Sequence, residues 1–388
     1  MHRILVLNNL SARGLERLPP ERFEVGPEVS APDAILVRSA DLHAREIPAT
    51  VLAVGRAGAG VNNIPVAALS KRGVPVFNAP GANANAVKEL VLAGLFLAAR
   101  NICAAWSFAR SLRGDDEAID VAVEQGKKNF VGFELPGRTL GVVGLGAVGV
   151  QVANAALALE MRVLGYDPQI TVQRAWQLSS SVEQASSLED LFARADAVTV
   201  HVPLNADTRM LVSESRLKLM RPGGVILNFA RPAIVDDAAV LAALDAGLLR
   251  AYVCDFPNNA LKEHPQVVAL PHLGASTHEA EENCAIMVAE TVREYLENGN
   301  VRHSVNYPEA VLPRAAGATR LAIANSNVPN MVGQISTCLA AAGLNIADLL
   351  NKSRGEYAYT LIDTEGLVSP ELLGRIRRIE GVLAARVV

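Results

Sequence analysis

The chain has 388 residues, half of them apolar and a fifth charged, with a formal net charge of −4, which is enough apolar mass for two or three cores. No Lys/Arg run or basic stripe occurs, which argues against nucleic acid as the main partner, and no apolar stretch reaches the roughly 18 residues of a membrane span. Four scattered cysteines without a C-x-x-C, and no His/Asp/Glu cluster at ligand spacing, predict reduced thiols and no metal.

The first residues, Met1-His2-Arg3-Ile4-Leu5-Val6-Leu7, read as a strand and not as a signal peptide, so a cytoplasmic location and no membrane partner are expected. Segments 4–7, 34–37, 51–54 and 74–77 are short apolar runs that predict buried strands of a small βα domain. Val87, Leu90, Val91, Gly94, Leu95 and Ala98 recur at helical spacing and predict a long helix from about Asn85 past Ala99. Segment 113–133 is polar and charged and reads as a loop, Lys127 and Lys128 included.

From 139 to 272 the pattern is more regular. Segments 139–143, 162–166, 197–200, 225–228, 251–254 and 267–270 are six candidate strands, most of them separated by helical stretches. Continuous apolar strands alternating with helices predict a doubly wound parallel sheet of Rossmann type.

After Pro308, the prolines 308 and 313 and the small residues 315–318 read as a linker. Strands near 320–325, 345–351, 357–362 and 382–388 then alternate with two helices. The first carries Met331, Val332, Ile335 and Leu339 and stops near Gly343. The second opens at Ser369-Pro370, with Ser as N-cap and Pro at the first helical position. The order is βαββαβ in about 70 residues, a ferredoxin-like unit.

The strand Leu140-Gly141-Val142-Val143 runs directly into Gly144-Leu145-Gly146-Ala147-Val148-Gly149, the context a dinucleotide fingerprint requires. Gly144 permits the tight turn, Gly146 lets a pyrophosphate approach the backbone, and Gly149 lets helix pack on strand. Free N–H groups of the following helix attract phosphate. Asp167, 18 residues beyond Gly149, ends the next strand. A carboxylate there accepts from both ribose hydroxyls and repels a 2′-phosphate, so NAD is expected in preference to NADP.

Oxidising a 2-hydroxy acid needs a cation for the carboxylate and a base for the hydroxyl proton. Arg231 follows the apolar run Gly224 to Ala230, placing it at a strand C-terminal end, where ligands bind in open α/β sheets. His272, in Pro271-His272-Leu273-Gly274-Ala275-Ser276-Thr277, holds the same kind of position and is the expected base. Each taken alone is as well explained as a surface arginine and a loop histidine. His201, in His201-Val202-Pro203-Leu204, ends an earlier strand and is expected to help position the cofactor. Arg38, before Ser39, and Arg56, before Ala57 and Gly58, follow strands of the first domain and suggest an anionic substrate.

These motifs, in this order over roughly residues 35–280, resemble those of the D-2-hydroxyacid dehydrogenase family, and within it the branch that oxidises 3-phospho-D-glycerate with NAD in serine biosynthesis. The tail, through Asn327, Pro329 and Ala342-Gly343-Leu344-Asn345-Ile346, resembles an ACT domain, which binds amino-acid effectors between paired copies.

The resemblance implies a discontinuous, flavodoxin-like substrate domain (1–98 and 283–308) with the NAD-binding domain (99–282) inserted. A linker (309–318) and the ACT-like domain (319–388) follow. It implies Arg231 as the carboxylate clamp and His272 as the acid/base. Arg38, Ser39, Arg56, Ala57 and Gly58 would lie toward the phosphate end of a small phosphorylated hydroxy acid. Gly144, Gly146, Ala147, Val148, Gly149, Asp167, His201, Val202, Pro203, Ala230, Gly274 and Asp255 would contact the cofactor, with Asp255 at the nicotinamide amide. Asn325, Asn327 and Asn345 would face a serine effector in a homo-oligomer.

Four departures from the family pattern stand out. Asn259 occupies the place of a histidine-paired glutamate, and Glu263, or Asp255 in a shifted register, is expected to substitute. Pro232 stands where Gly is usual, and Asn62 where Asp is. In the tail, Asn325 replaces a histidine and Asn330 a glycine. Another D-2-hydroxyacid dehydrogenase, or a non-catalytic NAD-sensing protein on the same scaffold, remain as alternative readings.

Overall fold

A computed structural model describes residues 1–315 and 317–388; of the expected linker, Ala316 lies outside the described residues. The chain forms two units, one made of residues 1–83 and 278–388, the other of residues 84–277. The cuts fall at the starts of helices rather than at the expected 98/99 and 282/283. Helix Ala84–Arg100 buries Val87, Val91, Leu95 and Ala98 in the core of the second unit. Helix His278–Asn298 buries Cys284, Val288 and Val292 in the core of the first.

In the first unit, β1 (His2–Leu7), β2 (Phe23–Gly26), β3 (Ala34–Val37), β4 (Ala53–Arg56) and β5 (Val76–Phe77) form a parallel sheet in the order β2-β1-β3-β4-β5. That is the flavodoxin-like order, whose switch point lies between β1 and β3. Alternation along the strands splits their side chains between two cores. Ile4, Ala34, Leu36 and Ala53 face helix His278–Asn298, while Ile35, Val37, Val54 and Val76 face Leu42, Ile64 and Leu69. Gly55 is required on the first face, because a Cβ there would lie 2.7 Å from Val288 Cγ2.

The second unit holds β6 (Thr139–Val143), β7 (Arg162–Tyr166), β8 (Glu183–Gln184), β9 (Ala197–Val200), β10 (Gly224–Asn228), β11 (Leu249–Cys254) and β12 (Val267–Ala269). All pair in parallel, in the order β12-β11-β10-β9-β6-β7-β8. Every residue of β6, β9 and β10 is buried, as a sheet covered on both faces demands. The order reverses between β6 and β9, the dinucleotide crevice of a Rossmann sheet.

Segment 113–133 is not the expected loop. It holds helix Asp116–Gly126, with the Asp115 side chain accepting from Ala118 N–H and two acids in the first turn. A 3-10 turn, Lys127–Phe130, follows. The cap and the acidic start were a helix signal outweighed by the segment's polarity. The long helix before it ends at Arg100, because Asn101 takes the left-handed φ of 50° and a second helix, Ile102–Ser111, starts afresh. No single helix of the described residues is long and apolar enough to cross a membrane.

The tail forms β13 (Thr319–Ser326), β14 (Asn345–Arg354), β15 (Tyr357–Glu365) and β16 (Val382–Val387), an antiparallel sheet ordered β14-β15-β13-β16. Helices Met331–Ala340 and Pro370–Arg377 connect its strands, and Ser369 caps the second by accepting from Leu372 N–H. The expected βαββαβ order is therefore present, and an ACT-like fold is compatible with it.

Its attachment differs from a domain on a free linker. Leu321, Ile323 and Ile362 pack under the tail's own helices. On the other face, Ala322, Ala324, Tyr359 and Leu361 join the first unit's core beside Val292 and Tyr295. Arg320, fully buried, donates to both oxygens of buried Asp363 at 2.7 Å and to the carbonyls of Asn298, Leu312 and Pro313.

Candidate active site

In the second unit, the residues singled out from the sequence gather at the C-terminal ends of successive strands. Gly144, at the exit of β6, has φ 89°, and a Cβ on it would lie 2.7 Å from the His201 carbonyl oxygen. A Cβ on Gly149 would lie 1.9 Å from the Gly144 carbonyl oxygen, so helix Ala147–Ala158 closes on the loop only with glycine there. A Cβ on Gly146 would meet nothing within 4 Å, so that side of the loop is open.

No side chain caps the helix N-terminus, and the first-turn N–H groups at Ala147 and Val148 lack an intrahelical acceptor. One Asp167 oxygen accepts from Leu145 N–H at 2.8 Å and the other from Gln169 N–H at 2.9 Å. A glycine turn open on one face, an uncapped helix start and an adjacent anchored carboxylate fit a dinucleotide's pyrophosphate and ribose.

His201 leaves β9 beside the loop, its Nε2 3.0 Å from the hydroxyl of fully buried Thr199. Burial pushes its imidazole down to about 3, so the ring is neutral near pH 7. Val202 Cγ1 lies 2.8 Å from where a Gly144 Cβ would stand. Pro203 accepts a hydrogen bond from the Thr208 hydroxyl at 2.6 Å, which pins the loop that follows.

Arg231 follows β10 in extended geometry (φ −150°, ψ 145°), as a residue before proline must. Pro232 opens the short 3-10 turn Pro232–Ile234 rather than extending the strand. Asn228 ties the strand end together, accepting from Ala230 N–H and donating to the Arg231 carbonyl. The exposed Arg231 guanidinium donates to the Ala230 carbonyl, and among the described residues no acid pairs with it.

His272 follows β12 with a left-handed φ of 60°, uncommon for a side chain of its size. Asp255, 1% exposed at the end of β11, explains how that geometry is held. Its two oxygens accept from Leu273 N–H at 2.7 Å and Gly274 N–H at 2.8 Å. The carboxylate expected at the nicotinamide amide is thus committed first to the loop that carries His272.

Neither candidate replacement for the missing glutamate reaches the His272 ring. Glu263 is 76% exposed and lies 3.6 Å from Lys262 Nζ, and Asp255 bonds to backbone. The ring's partner is aromatic: Phe256 meets it edge-on, 5.3 Å between centroids. Asn258, not Asn259, orders this turn, accepting from Ala260 and Leu261 N–H and donating to Asp237.

In the first unit, Arg38, Ser39, Arg56, Ala57 and Gly58 lie at the ends of β3 and β4. Asn8, at the end of β1 with φ 71°, accepts from Ser39 and Ala40 N–H and shapes the switch point. The sequence reading missed it, although an asparagine directly after a strand is a signal for left-handed backbone. Arg56 Nε donates to the Arg38 carbonyl at 3.0 Å, and its guanidinium lies where a Gly58 Cβ would stand. Arg38 itself donates to Glu281 at 2.5 Å, a pairing nothing in the local sequence announces. Asn62, which stands in place of an aspartate, offers its carbonyl to His43 Nε2 at 3.3 Å.

The three tail asparagines do not gather within one chain. Asn325, 1% exposed, bonds to the Ser326 carbonyl and the Thr360 hydroxyl, and Asn327 donates to Gly355. Asn345 bonds to Glu365 and pairs with it at the far end of the sheet, where Thr319 starts β13.

Comparisons with known proteins agree with this geometry. Residues 93–274 match the D-isomer specific 2-hydroxyacid dehydrogenase NAD-binding domain. The chain is 33% identical to D-3-phosphoglycerate dehydrogenase of Methanocaldococcus jannaschii over 381 residues, covering 94% of this chain and 68% of that one. It is 32% identical to that of Haemophilus influenzae over 351 residues, covering 87% and 81%. Against the Archaeoglobus fulgidus enzyme the identity is 37%, but the match spans only 54% of the relative's length.

Among solved structures, the TT0316 protein of Thermus thermophilus superposes with a TM-score of 0.63 at 27% identity, covering 78% of this chain and 99% of that one. An NAD+-bound 3-phosphoglycerate dehydrogenase of Entamoeba histolytica, at 24% identity and a TM-score of 0.60, shares the fold over 78% of this chain and 98% of its own. The chain therefore belongs to the D-2-hydroxyacid dehydrogenase family, carries its NAD-binding domain, and has D-3-phosphoglycerate dehydrogenases as relatives over most of its length.

Proposed function

We propose that this protein is an NAD-dependent D-3-phosphoglycerate dehydrogenase, oxidising the 2-hydroxyl of 3-phospho-D-glycerate to give 3-phosphohydroxypyruvate in serine biosynthesis. The observation that carries the reading is the strand-end set of the second unit: an open glycine turn, an acid-free arginine and a histidine held by Asp255. Bound NAD would accept the hydride. Arg231 clamps the substrate carboxylate, and His272 takes the hydroxyl proton and returns it in the reverse direction. Neutral His201 walls the cofactor side without adding charge. Arg56 and Arg38 supply positive charge for the phosphate end, Arg38 in competition with Glu281.

The domain division read from the sequence, a substrate part, an inserted cofactor part and an ACT-like tail, belongs to the same proposal, as do a cytoplasmic location and a homo-oligomer. A serine effector is the open part of it, since the tail asparagines do not converge in one chain. The test is NADH formation with 3-phosphoglycerate, D-lactate and D-glycerate, each with and without serine. Turnover highest on 3-phosphoglycerate is expected. Equal or better turnover on D-lactate moves the chain to another branch of the family. No turnover on any of the three removes the catalytic reading for this substrate set.

A further inference from the structure

A cavity of about 330 Å³ lies inside the first unit, at the seam between the five-stranded sheet and the tail. One wall is Ala49, Val51 and the turn Arg72-Gly73-Val74; the other is β16 with Arg377. The size is that of a small-ligand site. Its lining contains three arginines, Arg72, Arg377 and Arg386, and no acidic residue.

Among the described residues, the three guanidinium groups bond only to neutral carbonyls. Arg72 donates to Ile47 and Pro48, Arg377 Nε to Ala385, and Arg386 to Tyr295 and Leu296. Among the described residues none of them has an acid within ion-pair distance. Arg386 Nε is buried and has no hydrogen-bond partner, and its guanidinium sits over the Tyr295 ring, 4.6 Å from the centroid. Arg377 is exposed, but Arg72 and Arg386 are half-buried; half-buried cations are ordinarily paired, and an orphaned N–H signals a missing acceptor. The planar fork of arginine suits the oxygens of a carboxylate or phosphate.

We infer that this seam is a binding site for a small oxyanion, a carboxylate or a phosphate, and that its occupant clasps the tail sheet to the rest of the first unit. The walls already touch at one point: a Cβ on Gly73 would stand 2.5 Å from Ala384 Cβ. An anion bridging Arg72 on one wall and Arg377 and Arg386 on the other holds the same seam closed by charge.

The experiment is calorimetric titration of the full chain with inorganic phosphate and, separately, with succinate, at constant ionic strength set by chloride. Thermal unfolding is followed in parallel. Because the dehydrogenase site also takes anions, the titrations are repeated on Arg231→Gln. Saturable binding of either probe with a rise in Tm is expected to survive Arg231→Gln. Arg377→Gln or Arg386→Gln should weaken it about tenfold or more, the scale of one charge-assisted hydrogen bond. The stronger probe names the ligand class. Should Arg386→Gln fail to fold, Ala49→Trp, at the exposed rim, blocks the cavity without touching a charge and should abolish the same binding. No saturable binding of either probe overturns the inference. So does binding unchanged in Arg377→Gln and Ala49→Trp, or binding lost in Arg231→Gln alone.

Discussion

Asp255 acts on the backbone beside the proposed base. Its two oxygens fix the N–H groups after His272, and so hold that residue in a backbone conformation it would otherwise leave. Asp255→Asn keeps the shape but turns one acceptor into a donor facing an N–H, a buried mismatch costing about 1–3 kcal/mol. A drop of about tenfold or more in kcat is expected, with the NADH dissociation constant nearly unchanged. His272→Gln removes the proposed base, and a fall of about 10²–10⁴-fold is expected. Glu263→Gln should leave the pH dependence of turnover unmoved, since its carboxylate stands in solvent beside Lys262. A shifted profile would restore Glu263 as the histidine's partner.

His201 makes a separate prediction, about stability. Burial lowers its imidazole to about 3, whereas an unfolded histidine titrates near 6.5. Between those values the unfolded chain binds the extra proton, so stability is complete above about pH 6.5 and is lost as pH falls toward 3. Urea unfolding at intervals across that window should show a slope that His201→Gln reduces. An identical slope in the variant would assign the loss to other groups.

At the scale of elements, the glycine loop is the most legible part of the molecule. Strand β6 and the turn occur where the apolar run and Gly144 to Gly149 predict them, because two positions of the loop, Gly144 and Gly149, leave no room for a side chain. Gly149→Ala places a methyl group 1.9 Å from the Gly144 carbonyl, so loss of NAD binding is expected together with a lowered Tm. Helix Asp116–Gly126 was illegible for the opposite reason: it buries only Gly126, so no apolar stripe marks it and only its cap does. The partners of Arg38 and Asp255 were hidden because they are tertiary. Glu281 lies 243 residues from Arg38, and Asp255 reads in sequence as one more strand-end acid.

Asn330 is a departure that local structure accounts for. It takes φ 65° before helix Met331–Ala340, and asparagine is among the few side chains that tolerate the left-handed region. Asn330→Gly should be close to neutral. Asn330→Val should cost about 1–2 kcal/mol in equilibrium unfolding.

The tail's attachment is decided at the scale of the whole molecule. Small residues on one sheet face, Ala322 and Ala324, read in sequence as a modest strand, yet they let the sheet lie against Val292 and Tyr295. Arg320 and Asp363, both fully buried, then lock the junction, with five hydrogen bonds from one guanidinium. Burial alone would raise the Asp363 carboxyl, but the bonds from Arg320 and from Ala315 N–H hold it below its ordinary value. Its contribution is therefore present above the ordinary carboxylate value and is lost as pH falls through the lowered one.

Removing one partner leaves the other charged and unpaired in the core, which costs about 3–5 kcal/mol. Asp363→Ala should therefore unfold at lower urea, and the first cleavages in limited proteolysis should fall between Pro308 and Thr319. Replacing both partners by apolar residues, Arg320→Met with Asp363→Leu, removes the orphaned charge and should recover much of that loss. If the single variant cleaves no faster than the parent, the pair is dispensable and the apolar face alone holds the tail in place.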